Sequence, residues 1–310
     1  MKLSICILAY NRVEEVRKTL ELIGRNVTLE HEVILLDNAS TDHCTEIISK
    51  EFPKVSIITL QQNEGAPALN HAFSAAKGEY ILILDDDSHP VSGLNEAIDY
   101  LDSAPQTGAL ALQIEGGGYR IKSKQHLDET IGYIGCGAIV RRKVIEEVGG
   151  YPEWIFLYSN EWEHGIRIRN AGYKIRYFKH CLIKHRVATT HRSNRRLRSL
   201  TTKNELLILE RYFFNDPRLT KLKARTIRWN RFFMLLEGIQ VWKHVNEGIR
   251  LYKSEKDAQP HIPISRQVRD SYVDQHWCLQ PLWPAFFYRA LEALELIKEP
   301  PRRAFPETEA

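Results

Sequence analysis

The sequence predicts an α/β fold: a mostly parallel, Rossmann-like sheet with helices on both faces, followed by a helical C-terminal region. Three observations carry that prediction. Short, nearly continuous apolar runs alternate with stretches of helical spacing through the first half of the chain, as strands covered on both faces do. Each run stops at a cluster of turn-forming polar residues, and beyond the carboxyl ends of such strands ligands bind. From about Ser193 onward the strand-like runs cease and helical spacing takes over.

The elements follow in order. Leu3–Tyr10 is a buried strand broken by Asn11 and Arg12, and Val13, Val16, Leu20 and Ile23 then recur at helical spacing. Glu32–Leu36 is a second strand, and Asp37–Asp42 supplies turn formers and N-caps for a helix over Cys44–Phe52. Val55–Leu60 predicts a third strand, Pro67–Ala76 a helix, and Tyr80–Leu84 a fourth strand running into Asp85, Asp86 and Asp87. Strands and helices alternating in units of this size imply a parallel sheet. The clusters Tyr10–Arg12, Asp37–Asp42, Asn63–Gly65 and Asp85–Asp87 should therefore converge on one edge. Beyond Pro90 the pattern loosens. Ala109–Gln113 suits a strand, Gly116–Gly118 a loop, Ile131–Arg141 a glycine-bearing strand or loop, and Lys143–Val148 a short helix stopped by Gly149. Asn160–Ala171 predicts a helix, Lys174–Phe178 and Cys181–Lys184 strands, and Asn204–Phe214, Leu222–Val245 and Ala285–Ile297 helices, with a frayed tail from Glu299. The domain boundary falls between residues 1–195 and 196–310.

Composition excludes several classes. With 43% hydrophobic and 26% charged residues the chain is not disordered. Its apolar runs, such as Tyr80–Leu84 and Phe232–Leu236, fall far short of the roughly 20 residues of a membrane span. No leader is evident after Met1. Five scattered cysteines without a C-x-x-C pair argue against a disulfide framework or a cysteine-rich zinc site, and predict a reducing, cytoplasmic setting. Between Arg186 and Arg231, thirteen Lys or Arg stand against three Asp or Glu. Such a stretch faces phosphates or an anionic membrane surface, or it is a solvated helix face. No zinc-finger spacing or aromatic RNA-binding motif accompanies it, which leaves nucleic acid a minor option.

Adjacent carboxylates at the end of a buried strand repel one another unless a cation is present. Asp85 and Asp87 could serve a hard divalent ion, Mg²⁺ or Mn²⁺, that also holds a pyrophosphate; a helix cap or solvated loop is the alternative. Asp37 could accept from a base or ribose or be a turn residue, and Asn63, Gly65 and Asn70 are ordinary turn and cap residues taken singly.

Taken together the segments resemble family 2 glycosyltransferases, in order and with similar spacing. The resemblance rests on Ile7–Arg12, Leu35–Asp42, Asn63–Gly65 through Asn70, Gly78–Asp87, Gly135–Arg142, Val148–Tyr151 and Asn160–Tyr173. It spans roughly residues 1–195 and is nearest to the bacterial rhamnosyltransferase-like branch. The resemblance implies a GT-A fold, a nucleotide-sugar donor (UDP- or dTDP-sugar favoured), inversion at the anomeric carbon, and a glycan or lipid-linked acceptor. By motif, Tyr10, Asn11 and Arg12 would line the nucleotide pocket with Asn38, Asn63, Gly65 and Asn70. Asp37 would meet the base, Asp85 and Asp86 the donor, and Asp87 the metal. His185 stands where some GT-A enzymes place a metal-contacting histidine, with His191 in competition. The family's acidic pair before the tryptophan reads Asn160 and Glu161 here. That makes Glu161 the general base; Glu163 replaces a common Asp, Trp162 and Gly137 would meet the acceptor, and Arg167 and Arg169 either reach phosphate or pair with those glutamates. The missing first acid motivates a second reading, a nucleotide-sugar-binding or scaffold protein without catalysis. Phosphoryl transfer by the Asp triplet fits poorly, since that chemistry places its aspartates after the first strand. The basic helical region with its interleaved aromatics would either touch a membrane or dock on the sheet.

Overall fold

The computed structural model describes residues 1–116, 125–186 and 193–279. Gly117, Gly118, His191, the helix expected over Ala285–Ile297 and the tail from Glu299 lie outside the described residues. The chain divides into two compact units, Met1–Ala188 and Thr189–Ala310.

The first unit is built on one sheet of eight strands: β1 (Leu3–Ala9), β2 (His31–Asp37), β3 (Ser56–Thr59), β4 (Tyr80–Asp85), β5 (Ser88–Ser92), β6 (Thr107–Glu115), β7 (Ala138–Arg141) and β8 (Lys174–His185). Their order is β3-β2-β1-β4-β7-β6-β8-β5. The first four run parallel, as expected, and β6 is parallel to β8. β7 runs antiparallel between β4 and β6, and β5 antiparallel to β8, so the sheet is mixed at its far side.

The helices of this unit are α1 (Val13–Asn26), α2 (Cys44–Glu51), α3 (Leu69–Ala75), α4 (Leu94–Ser103), α5 (Arg142–Val148) and α6 (Asn160–Asn170). Because side chains of a strand alternate between faces, β4 feeds two cores. Leu82 and Leu84 pack with Val16, Leu20 and Ile23 of α1 and with Ala97 and Leu101 of α4. Ile81 and Ile83 pack with Leu69, Ala72 and Phe73 of α3 and with Val144 of α5. That is why Tyr80–Leu84 of β4 forms an unbroken apolar run.

Several expectations are corrected. Asp42 does not cap α2, whose N-cap is His43 without a side-chain bond; its carboxylate accepts from Val13 N at 2.8 Å and caps α1 instead. Lys174–Phe178 and Cys181–Lys184 are one strand, β8, with an irregularity between them. The strand β5 and the helix α4 carried no expectation at all.

The second unit is helical, as expected: α7 (Asn194–Phe213), α8 (Leu219–Phe232), α9 (Met234–Glu237), α10 (Gln240–Glu255) and α11 (Arg266–Gln275). The single helix expected over Leu222–Val245 is three. Gly238 adopts φ +91° and ends α9, a conformation that costs a glycine little. Part of the local basic excess is paired inside this unit. Arg195 pairs with Glu247, Arg198 with Glu237, Lys203 with Glu255, Lys223 with Glu210, and Arg218 with both Asp216 and Asp270. Four of those carboxylates follow Arg231 in sequence, so a local charge count cannot see them. No helix among the described residues is long and apolar enough to cross a membrane.

Candidate active site

Register sets the floor of the site. Ala9 lies opposite Asp37 and Leu8 opposite Asp85, so β1, β2 and β4 end level with one another. The polar clusters that follow them therefore share one edge, as the strand order requires.

The loops there are tied together by side chains. Asn11 N donates to Ser40 Oγ at 3.0 Å, and Asn11 Oδ1 accepts from Thr41 N at 2.7 Å, with Asn11 in the left-handed region at φ 53°. Asp37 is buried, accepting from Ser40 N at 2.9 Å and Thr45 Oγ1 at 2.6 Å. Each of its oxygens keeps a second lone pair for a ligand. Asn38 donates to Asn63 Oδ1 at 3.0 Å and to Gly65 O at 3.2 Å, and its Oδ1 accepts from Glu64 N at 2.9 Å. These asparagines shape the 63–65 loop. Asn70 exchanges bonds with Tyr151, its amide donating to Tyr151 O at 2.8 Å and its Oδ1 accepting from Tyr151 N at 2.7 Å. It thereby holds the Gly149–Tyr151 turn.

Gly65 has a stricter reason to be glycine. Its φ is +71°, and a Cβ there would stand 2.0 Å from Phe156 O, which accepts from Ala66 N at 2.7 Å. Gly65→Ala is expected to cost about 1–3 kcal/mol of stability from backbone strain. A denaturant melt showing an unchanged midpoint would contradict this.

The acidic triplet is not a solvated loop. Asp86 and Asp87 are buried, and Asp85 is half-buried. Arg12 NH1 stands 3.0 Å from Asp86 Oδ1 and 3.7 Å from Asp87 Oδ2. Burial, together with the neighbouring Asp87 and Asp85 charges, pushes the Asp86 carboxyl up to about 7 against the opposing pull of Arg12. Asp87 Oδ1 stands 2.9 Å from His185 Nε2, both side chains fully buried. Ligand atoms of Asp85, Cys136 and His185 lie within 4.8 Å of one another. Cys136 arrives through the sheet: β7 pairs Ala138 with Ile83, and extending that register brings residue 136 across from residue 85. Carboxylates beside an imidazole fit a divalent ion such as Mn²⁺. Arg186 braces this corner. It donates to Glu15 Oε2 at 2.8 Å and Thr19 Oγ1 at 2.7 Å, while its backbone N donates to Asp87 O at 2.9 Å.

Glu161 opens α6. Two consecutive left-handed residues precede that helix, Tyr158 at φ 67° and Ser159 at φ 65°, strain of the kind found where a side chain must be aimed. A Cβ on Gly135 would stand 2.5 Å from Glu161 Oε1, so the glycine leaves room for the carboxylate. Burial chiefly, with the Asp85 charge added, pushes the Glu161 carboxyl up to about 7; backbone N–H bonds act in the opposite sense. Trp162 lies over Gly132, where a Cβ would meet its ring at 3.0 Å. Gly137 has a packing reason of its own: a Cβ would meet Ile114 at 3.1 Å and Ile183 at 3.2 Å.

Glu163 is buried and grips Arg167, with Nε to Oε2 at 2.9 Å and NH2 to Oε2 at 2.8 Å. Arg167 also donates to the carbonyls of Val148, Gly149 and Gly150. Arg169 pairs with Glu129 at 2.9 Å. Arg167 thus takes the expected pairing with Glu163, whereas Arg169 pairs with Glu129 and with neither of the expected glutamates. Cys136 and Arg186 are site residues that sequence reasoning missed, and only strand pairing could have found them.

This arrangement has known counterparts. Residues 4–149 match the family model described as Glycosyl transferase family 2. The chain carries a family 2 glycosyltransferase domain. Among curated proteins it is 25% identical over 187 residues to an uncharacterized glycosyltransferase, YwdF, of Bacillus subtilis, covering 55% of this chain and 68% of that protein. It is 35% identical over 96 residues to a poly(ribitol-phosphate) beta-glucosyltransferase of Bacillus spizizenii, covering 29% of this chain and 15% of that one. The mannosyltransferase PcManGT from Pyrobaculum calidifontis, solved with GDP-Man and Mn²⁺, superposes with a TM-score of 0.58 at 18% identity, covering 96% of this chain and 81% of that one. S. aureus TarS 1-349 in complex with UDP gives 0.53 at 17% identity, covering 84% and 92%. The family 2 domain has the GT-A fold.

Proposed function

We propose that the chain transfers one sugar from a nucleoside diphosphate sugar to a hydroxyl of a glycan or lipid-linked acceptor, inverting the anomeric carbon. One observation carries this reading: Glu161 lies against Gly135, whose chain neighbour Cys136 clusters with Asp85 and His185. This supports a general base and a donor-side carboxylate cluster within one site.

In this reading Tyr10, Asn11 and Arg12 line the nucleotide pocket and Asp37 meets the base, on loops shaped by Asn38, Asn63, Gly65 and Asn70. Asp85 and Asp86 face the donor, and Asp87 and His185 hold Mg²⁺ or Mn²⁺. When bound, that ion would neutralise the departing diphosphate. Glu161 takes the proton from the acceptor hydroxyl as its oxygen bonds to the anomeric carbon and the bond to diphosphate breaks. A single displacement by one base inverts the configuration. Trp162 gives the acceptor sugar a stacking face, and Gly137 shapes the loop beneath it. Arg12 screens the triplet, so that the carboxylates can stand together before the donor arrives. The donor is a hexosyl or deoxyhexosyl nucleotide, and relatives solved with UDP and with GDP-Man support that class. Five buried free thiols suit a reducing cytoplasm.

Calorimetric titration with UDP, dTDP and GDP, with and without Mn²⁺, tests the reading. Metal-dependent binding of one nucleotide is expected, with UDP or dTDP favoured. Binding of a nucleotide without transfer to any acceptor would favour the scaffold alternative, and no binding at all would remove the donor assignment.

A specific observation favours membrane contact by the helical unit. Leu235, Ile239 and Trp242 are exposed, Ile239 by 77%, and Arg231 lies 4.2 Å from the Trp242 ring. Apolar side chains rimmed by arginine suit an anionic bilayer surface. Sedimentation with anionic liposomes is expected to fall several-fold in Ile239→Glu; equal sedimentation with neutral liposomes would end this reading.

A further inference from the structure

The second unit contains a polar cluster that sugar transfer does not use. Glu205 of α7, His276 just after α11 and Cys278 of the following helical turn are all at most 1% exposed. One ligand atom from each lies within 4.8 Å of the others. Glu205 Oε1 stands 3.8 Å from His276 Nε2, and Cys278 Sγ stands 2.9 Å from His276 Nδ1. Two polar side chains of α8 join the cluster. Asn230 of α8 donates to Glu205 Oε2 at 3.3 Å, and Thr226 Oγ1 lies 3.6 Å from Cys278 Sγ. Glu205 Oε1 accepts no hydrogen bond, and Arg198, whose charge reaches this glutamate, is itself engaged by Glu237.

A carboxylate sealed in a helical core with no cation of its own is costly. A soft-to-borderline divalent cation answers that cost with the ligands already present. We propose that Glu205, His276 and Cys278 bind one Zn²⁺ ion in the helical unit, a site separate from the donor-side carboxylates. The donor set of carboxylate, imidazole and thiolate is one that zinc takes, with bonds of about 2.0–2.3 Å and ligand atoms about 3.3–3.6 Å apart in a tetrahedral site.

The charges balance as well. Zn²⁺ with one carboxylate and one thiolate is neutral, so the loaded site can stay buried. Loading expels the Cys278 thiol proton and any proton on Glu205 to solvent, with no change in oxidation state. The Cys278–His276 pair opens as the sulfur turns from the ring to the metal, and the imidazole offers one nitrogen. Such an ion joins α7 to the segment after α11, with a water completing the fourth tetrahedral position.

The test uses the purified full chain, stripped of metal and titrated with Co²⁺ followed by Zn²⁺. A thiolate-to-cobalt charge-transfer band in the near ultraviolet is expected in the wild type, abolished by Zn²⁺, with about one zinc retained per chain by elemental analysis. Cys136→Ser removes the thiol near the donor-side cluster and should leave both signals intact, whereas Cys278→Ser should abolish them. Glu205→Gln, which keeps the side-chain shape, should weaken zinc retention at least tenfold while the band persists at higher cobalt. Absence of the band in wild type, or its loss in Cys136→Ser with persistence in Cys278→Ser, overturns the proposal. Because wild type alone decides the first point, a poorly folding variant does not shield the idea.

Discussion

Glu161→Gln is expected to lower the turnover of sugar transfer by roughly 10²–10⁴-fold, the range that a positioned general base contributes. Glutamine keeps the length and most of the volume of the side chain, so the space left by Gly135 stays filled. Nucleotide affinity should stay within about twofold, since the proposed role of Glu161 is on the acceptor side. The pH profile gives a second readout. The base works only when deprotonated, and its carboxyl is raised to about 7. The wild-type rate should therefore fall as pH drops through that value, about tenfold per unit below it, and level off above it. In Glu161→Gln that acid limb should disappear. Unchanged turnover in the variant, or a wild-type rate that is flat from pH 5 to 8, would show that another group takes the proton.

The glutamate two residues on makes the contrast clear. Apart from the family resemblance, Glu161 and Glu163 are equivalent acids flanking one tryptophan in the sequence. In the fold they separate. Glu163 is buried under the Arg167 fork that holds the Val148–Gly150 carbonyls, while Glu161 lies against the Gly135 backbone with the Asp85 charge nearby. The difference arises from which face of α6 meets the α5 turn, and no local pattern encodes that.

The same division runs through the fold. β1, β2 and β4 were legible because both their faces are buried, which forces a continuous apolar run. β5 was not: Ser88-His-Pro-Val-Ser has no such run, and as the last strand of the sheet it tolerates Pro90. Helical spacing from Leu222 to Val245 was correctly read as helix but missed the break, because a glycine inside a helical pattern gives no sign of its φ. In the site, the Asp triplet was visible as chemistry on a strand end. The loop bonds of Asn11, Asn38 and Asn70 were not, since each joins segments 25 to 81 residues apart. Cys136 and His185 reach Asp85 only through strand pairing on the antiparallel side of the sheet.

Asp87→Ala is expected to abolish metal-dependent nucleotide binding, with affinity in Mn²⁺ falling at least about 100-fold, the upper range measured when even an outer partner of a metal ligand is removed. The side chain is fully buried and stands 2.9 Å from His185 Nε2 and 3.7 Å from Arg12. In the proposed site its loss would take a ligand from the ion and remove the anion beside the imidazole. Folding is the competing explanation, because truncation leaves Arg12 with one carboxylate fewer in a buried corner. Asp87→Asn separates the two. Asparagine keeps the shape and can still accept from Arg12, but it carries no charge for a cation. If the site is a metal site, Asn should bind nucleotide as poorly as Ala while melting within a few degrees of wild type. Should Asp87→Asn instead retain Mn²⁺-dependent affinity, the ion would rest on Asp85 and His185 alone, and Asp87 would be their brace. Neutralising Asp86 would then be nearly silent for the metal, since its carboxylate already spends its charge on Arg12 at 3.0 Å.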